Sequence, residues 1–155
     1  MINVKINHQL YQLDCDPTQR LLDVLRKQLH FTAAKEGCGE GECGACGVLI
    51  NGKLSNSCLV AIGSLQDAEI LTVEGIRDTK QFEVLSQAFA DAGAVQCGYC
   101  IPAMIMAAHG LLLSNPHPTE EDIRVAISGN ICRCTGYNMI IDAVLMAAER
   151  GKGLW

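Results

Sequence analysis

The chain of 155 residues is poor in aromatic side chains, with one Trp, three Tyr and three Phe, so small and aliphatic groups must fill its core. It has no block of Lys or Arg, and its formal net charge is −5. Phosphate binding needs a basic stripe, so no nucleic-acid partner is expected. It also lacks a long hydrophobic run: the richest stretch, residues 104–113, is broken by His109 and falls short of a membrane span. The opening MINVKINHQL has neither the basic segment nor the apolar run of a secretory signal, so a cytoplasmic protein is expected. Asp and Glu show no pairing suited to acid–base catalysis. The length suits one domain or two small ones and excludes a doubly wound catalytic domain with a separate substrate domain. What the chain has in excess is cysteine, nine in all. In a reducing compartment these are expected to ligate metal rather than form a disulfide framework.

The first half reads as strands and turns. Ile2, Val4 and Ile6 alternate, Asn7-His8 turns the chain, and residues 10–13 alternate again, which predicts a hairpin. Leu21, Leu22, Leu25 and Leu29 recur at helical spacing over residues 20–29. A glycine-rich stretch precedes Val48-Leu49-Ile50 and the turn Asn51-Gly52, a strong hairpin signal, and residues 70–73 predict another strand. After Gly75 the period becomes helical. Helices are expected ending near Gly93, over residues 101–113, opened by the capping pair Thr119 and Asp122 and ending near Gly129, and over 138–149. The class is therefore α+β: a mixed strand domain, residues 1–76, followed by a small four-helix bundle, residues 77–155.

Eight cysteines fall into two sets. Cys38-x4-Cys43-x2-Cys46, with Cys58 further on, has the plant-type ferredoxin spacing for a [2Fe–2S] cluster. Cys97-x2-Cys100 and Cys132-x-Cys134 supply four thiolates for a second. Gly37, Gly39, Gly41, Gly44 and Gly47 explain how three ligands converge from one short loop, through dihedrals closed to most residues. Bare backbone also lets amide N–H groups reach the sulfurs and stabilise the reduced cluster. Gly39-x-Gly41-x-x-Gly44 formally matches a dinucleotide fingerprint, but a strand rather than a helix is expected after it, so that reading is rejected. In the second set, Cys97 and Cys100 precede a helix with Pro102 in its first turn, and Cys132 and Cys134 precede another. Two helix N-termini are thus expected near one anionic centre. Arg133 either adds to this field or makes an ordinary ion pair or partner contact. Zinc also takes four thiolates, usually from two close pairs, whereas the first set has three ligands close and one apart. With two oxidised clusters the net charge would fall to about −9.

The stretches Lys35-EGCGEGECGACGVLING-Lys53, Gln96-CGYCIPAM and Gly129-NICRCTGY, in this order, resemble the small iron–sulfur subunit of the xanthine oxidase family of molybdenum hydroxylases. The resemblance covers nearly the whole chain. It implies a ferredoxin-like β-grasp domain followed by a four-helix [2Fe–2S] domain. It also implies a large partner subunit carrying a molybdenum–pterin (molybdopterin) cofactor and a further subunit carrying FAD. Electrons would pass from the pterin to the Cys97/Cys100/Cys132/Cys134 cluster, then to the Cys38/Cys43/Cys46/Cys58 cluster, then to the flavin. Gln96 and Cys134 match positions that contact the pterin. Three positions depart from the common pattern: Gly47 where Thr is usual, Ile101 where Thr is usual and Ala103 where Gly is usual.

A free-standing two-cluster electron carrier and a zinc-binding interaction module are the rival readings. Cys15 is expected to be a buried small hydrophobe on a strand. His109 is expected in the core or an interface, His117 in solvent, and the Trp155 tail either docked on a partner or disordered. The substrate is not encoded in this chain.

Overall fold

In the computed structural model, which describes residues 1–155, five strands form one mixed sheet in the order β2-β1-β5-β3-β4. Strands β1 (Ile2–Ile6) and β2 (Gln9–Leu13) make the expected antiparallel hairpin around Asn7-His8. Both turn residues have positive φ, the conformation of a tight hairpin turn. Strand β5 (Glu69–Leu71) runs parallel to β1 and antiparallel to β3 (Gly47–Ile50), and β3 pairs with β4 (Lys53–Asn56). One core lies under this sheet and is built from Val4, Ile6, Leu21, Leu22, Val24, Leu25, Val48, Ile62 and Ile70 with their neighbours.

The helix expected over residues 20–29 is shorter and different in kind. Helix α1 (Leu21–Asp23) passes into a π-helical turn, Val24–Gln28, closed by the Leu29 N–H to the Val24 carbonyl at 3.1 Å. The wider turn buries Leu21, Leu22, Val24 and Leu25 together. It also carries Arg26 to where its guanidinium donates to the carbonyls of Thr32 and Ala34. The strand expected at 70–73 stops at Leu71. Thr72 is buried against Asn7, whose side-chain carbonyl accepts from the Thr72 amide at 2.9 Å, and the short helix α2 (Val73–Ile76) begins there.

Helices α3 (Lys80–Asp91), α4 (Ile101–Ser114), α5 (Glu120–Ala126) and α6 (Asn138–Arg150) form the bundle. Thr119 and Asp122 make the capping box that opens α5, which ends three residues before Gly129. Nine of the fourteen residues of α4 are buried, because it lies between the other helices and the sheet. Its core is rich in alanine, with Ala88, Ala107, Ala108, Ala143 and Ala147 packed around Phe89, Met104 and Met106. Leu49 of β3 joins this second core while its neighbour Val48 joins the first, so β3 is covered on both faces. No helix is long and apolar enough to cross a membrane.

Cys15 lies beyond β2 rather than on a strand, and it is half-buried against the sheet core. His109 is buried and His117 is not, as expected. The Trp155 tail packs on its own bundle: Trp155 meets His109 edge-on at 5.9 Å, and the Gln81 amide donates to the Leu154 carbonyl at 2.9 Å.

Candidate iron–sulfur sites

The β3–β4 hairpin explains how Cys58 comes to the three cysteines of a distant loop. Asn51 and Gly52 both have positive φ and close a two-residue turn, which sets Gly47 opposite Asn56. Cys46 precedes β3 and Cys58 follows β4, so the ladder delivers both to the same end. Ser57, fully buried, ties them: its hydroxyl donates to the Cys46 carbonyl at 2.7 Å. The Asn56 amide donates to the Gly41 carbonyl at 3.0 Å, holding the loop over this end.

The loop itself turns its amides inward. The Cys38 sulfur accepts from the amides of Glu40, Glu42 and Cys43 at 3.2–3.4 Å, and the Cys43 sulfur accepts from those of Cys38 and Ala45. These donors, Glu40 first, pull the Cys38 thiol down to about 7. Gly39, Gly41 and Gly44 have positive φ, which lets the chain fold back within so few residues. Cys58 is the opposite case, pushed up to about 11 by burial and then by its hydrogen bond with Cys46.

The second set gathers where α4 and α6 begin. Cys100 is the N-cap of α4, whereas α6 starts at Asn138, beyond Cys134, so only the first of the two expected helix ends abuts a ligand directly. Burial raises the Cys132 thiol, but hydrogen bonds from Thr135, Cys100 and the Cys134 amide together bring it down; the Thr135 hydroxyl lies 3.1 Å from the sulfur. Cys100 is driven up to about 12, mainly by burial and then by its bond with Cys132. Tyr137, held at a positive φ of 73°, accepts the Cys132 amide on its hydroxyl at 3.0 Å. Cys134 is raised by its hydrogen bond with Cys97.

Within each half the thiols lie near enough to act on one another: Cys43 on Cys38, Cys46 on Cys58, Cys97 on Cys134 and Cys132 on Cys100. Each set has an outer and an inner pair. Cys38, Cys97 and Cys134 are exposed, whereas Cys46, Cys58 and Cys132 are buried. Two thiols per iron, with amide donors on the sulfurs, is the chemistry a [2Fe–2S] group requires, so the donor set fits it.

The two loops are stitched together by donors from the second half. The Ile131 amide donates to the Cys43 carbonyl at 2.9 Å, and the buried Asn130 side chain donates to the Gly44 carbonyl at 3.2 Å. A cavity of about 220 Å³ is lined by all four cysteines of the second set and, from the first loop, by Gly37, Cys43 and Ala45. Gln96 and Arg133 are exposed, and Arg133 makes no ion pair within the chain. The departures at 47 and 103 meet: a Cβ built on Gly47 would stand 3.4 Å from the Ala103 methyl. The methyl gained on α4 thus fills space left by the side chain missing from β3. Sequence reasoning missed Asn130, Ile131, Thr135 and Tyr137. Only the place of Thr135-Gly-Tyr137 directly after a ligand hinted at them.

Residues 3–95 match the family described as 2Fe-2S iron-sulfur cluster binding domain, and residues 72–145 match the [2Fe-2S] binding domain family. Two such matches in one chain define a two-cluster iron–sulfur electron-transfer protein. The chain is 48% identical to the nicotinate dehydrogenase small FeS subunit of Eubacterium barkeri, across 96% of this chain and 95% of that one. It is 40% identical to the nicotine 6-hydroxylase small subunit of Paenarthrobacter nicotinovorans, across 94% and 88%. Among solved structures, quinoline 2-oxidoreductase from Pseudomonas putida superposes with a TM-score of 0.90 at 37% identity, covering 97% of this chain and 94% of that one. The aldehyde oxidoreductase of Desulfovibrio desulfuricans does so at 0.92 and 39%, covering 98% of this chain but only 17% of that one, where the same unit forms part of a longer polypeptide. The chain belongs to the small iron–sulfur subunits of the xanthine oxidase and aldehyde oxidoreductase family of molybdenum hydroxylases.

Proposed function

We propose that Cys38, Cys43, Cys46 and Cys58 hold one [2Fe–2S] cluster and Cys97, Cys100, Cys132 and Cys134 the other, within units dividing at residues 76 and 77. The outer and inner thiol pairs would each hold one iron. When bound, each cluster supplies a one-electron redox centre. Electrons enter at the second site, beside exposed Gln96 and Cys134, from a molybdenum–pterin subunit. They leave from the first toward an FAD subunit within a cytoplasmic hetero-oligomer. The observation that carries this reading is the set of main-chain amides donating to the Cys38 and Cys43 sulfurs together with the Ile131–Cys43 hydrogen bond between the halves. That bond joins a ligand of one site to the residue preceding a ligand of the other.

Metal and sulfide analysis of the purified chain tests it. About four irons and four labile sulfides, with two distinct reduced-state paramagnetic signals, are expected. Cys46→Ser should abolish one signal, Cys132→Ser the other, and Cys15→Ser neither. Stoichiometric zinc in a colourless protein would falsify the assignment.

A further inference from the structure

We propose that Tyr99 is a positioning residue for electron exchange between the two sites: its hydroxyl grips the opposite ligand loop from the middle of the Cys97–Cys100 turn. This rests on the ligand assignment above. Tyr99 stands between Cys97 and Cys100, and Gly98 before it turns the chain at a φ of +83°. Its hydroxyl donates to the main-chain carbonyl of Glu36, two residues before Cys38. It is thus a third donor from the second half, after Ile131 and Asn130, to reach a carbonyl of the first loop. Tyr99 lines the cavity that all four cysteines of the second set share with Gly37, Cys43 and Ala45 of the first loop.

The receiving end is itself anchored. The Arg20 guanidinium straddles the Glu36 carboxylate, with Nη1 at 2.9 Å and Nη2 at 3.3 Å, while its Nε donates to Asp23 at 2.7 Å. A fork of this kind fixes direction as well as distance. Arg20 pairs across an isolated bridge with Ala61, just beyond Cys58, so Glu36 is referred to the segment that carries the fourth ligand. The span from Arg20 through Glu36 to Tyr99 therefore runs from the frame of the first site to the middle of the Cys97–Cys100 loop. The Ile131 and Asn130 contacts hold the loops at Cys43 and Gly44; Tyr99 holds them at Glu36, on the far side of Cys38. With contacts on both sides of Cys38, the loops are restrained against hinging as well as against parting. Electron exchange falls steeply with separation, so a loop free to hinge exchanges more slowly on average. The hydroxyl's hydrogen bond goes to main chain, so losing it removes none of the amide donors on the Cys38 and Cys43 sulfurs.

Tyr99→Phe tests this on the iron-loaded chain, with Tyr99→Leu removing the ring as well. Iron and sulfide content should match the parent, and both reduced-state signals should keep their positions. The magnetic splitting between the two reduced centres should broaden or shrink. Exchange between them after flash reduction should slow, and slow further in Tyr99→Leu, as the loops spend more time apart. Unchanged splitting and exchange in Tyr99→Phe would overturn the proposal. Loss of iron from either site in that variant would overturn it equally, because Tyr99 would then hold a cluster instead of setting a distance. A parent chain without two paramagnetic centres would sink the ligand assignment, a separate and visible failure.

Discussion

Gly44 and Gly98 both have positive φ, +72° and +83°, and entirely different surroundings. A Cβ on Gly98 meets nothing within 4 Å, whereas one on Gly44 would fall 2.3 Å from the Gly129 carbonyl and 2.9 Å from the Asn130 amide nitrogen. Alanine at either position pays for left-handed backbone, about 1–2 kcal/mol. At Gly98 the cost ends there. At Gly44 the obstacle is main chain and cannot swing aside, so the loops must part and the Ile131–Cys43 and Asn130–Gly44 bonds are lost, a further 0.5–1.5 kcal/mol each, roughly. The difference between the variants is thus about 1–3 kcal/mol, or roughly 5- to 150-fold in rate. The assay is bleaching of the visible iron–sulfur absorption of the loaded chain in urea. Gly44→Ala is expected to bleach faster by that factor and to disturb both paramagnetic signals, although its site lies in the first loop alone. Equal bleaching of Gly44→Ala and Gly98→Ala would refute the claim that close backbone contact joins the two sites.

The contact between Gly47 and Ala103 predicts a size exchange across the sheet–bundle interface. Gly47→Thr should destabilise by about 1–3 kcal/mol through overpacking, and adding Ala103→Gly should recover at least ~0.5 kcal/mol of it; strict additivity in the double-mutant cycle would dismiss the pairing. His109 is 4% exposed, and burial lowers its basicity. Below the ordinary histidine value of about 6.5 the unfolded chain binds the proton more readily, so stability should fall as pH drops through that value, by at most ~1.4 kcal/mol per unit. Urea midpoints between about pH 7.5 and 5.5 measure the slope; His109→Met should flatten it, and parallel slopes would contradict the burial effect.

Local signals carried most of the architecture. Alternation at Ile2, Val4 and Ile6, the Asn51-Gly52 turn and the Thr119–Asp122 box act within a few residues, and each appears where expected. The failures have nonlocal causes. Leucine spacing at 21–29 looks α-helical, but the wide turn there is selected by Arg26 reaching carbonyls at 32 and 34. Thr72 left the strand because Asn7, 65 residues away, takes its amide. The cysteine spacing displayed both foursomes, yet nothing in it revealed that Asn130, Ile131 and Tyr99 bind the first loop's carbonyls, since those partners are distant in sequence. The Gly47 and Ala103 departures looked unrelated until β3 was laid on α4.

The unequal depth of the sulfur pairs gives each centre a weathered side and a sheltered side. A chelator or peroxide arriving from solvent meets Cys38 or the Cys97–Cys134 edge before it can reach Cys46, Cys58 or Cys132. Damage in the isolated chain therefore starts at the rim. A neighbouring subunit laid over that rim would protect the centre by covering a few square ångströms of sulfur, without altering a bond inside the protein.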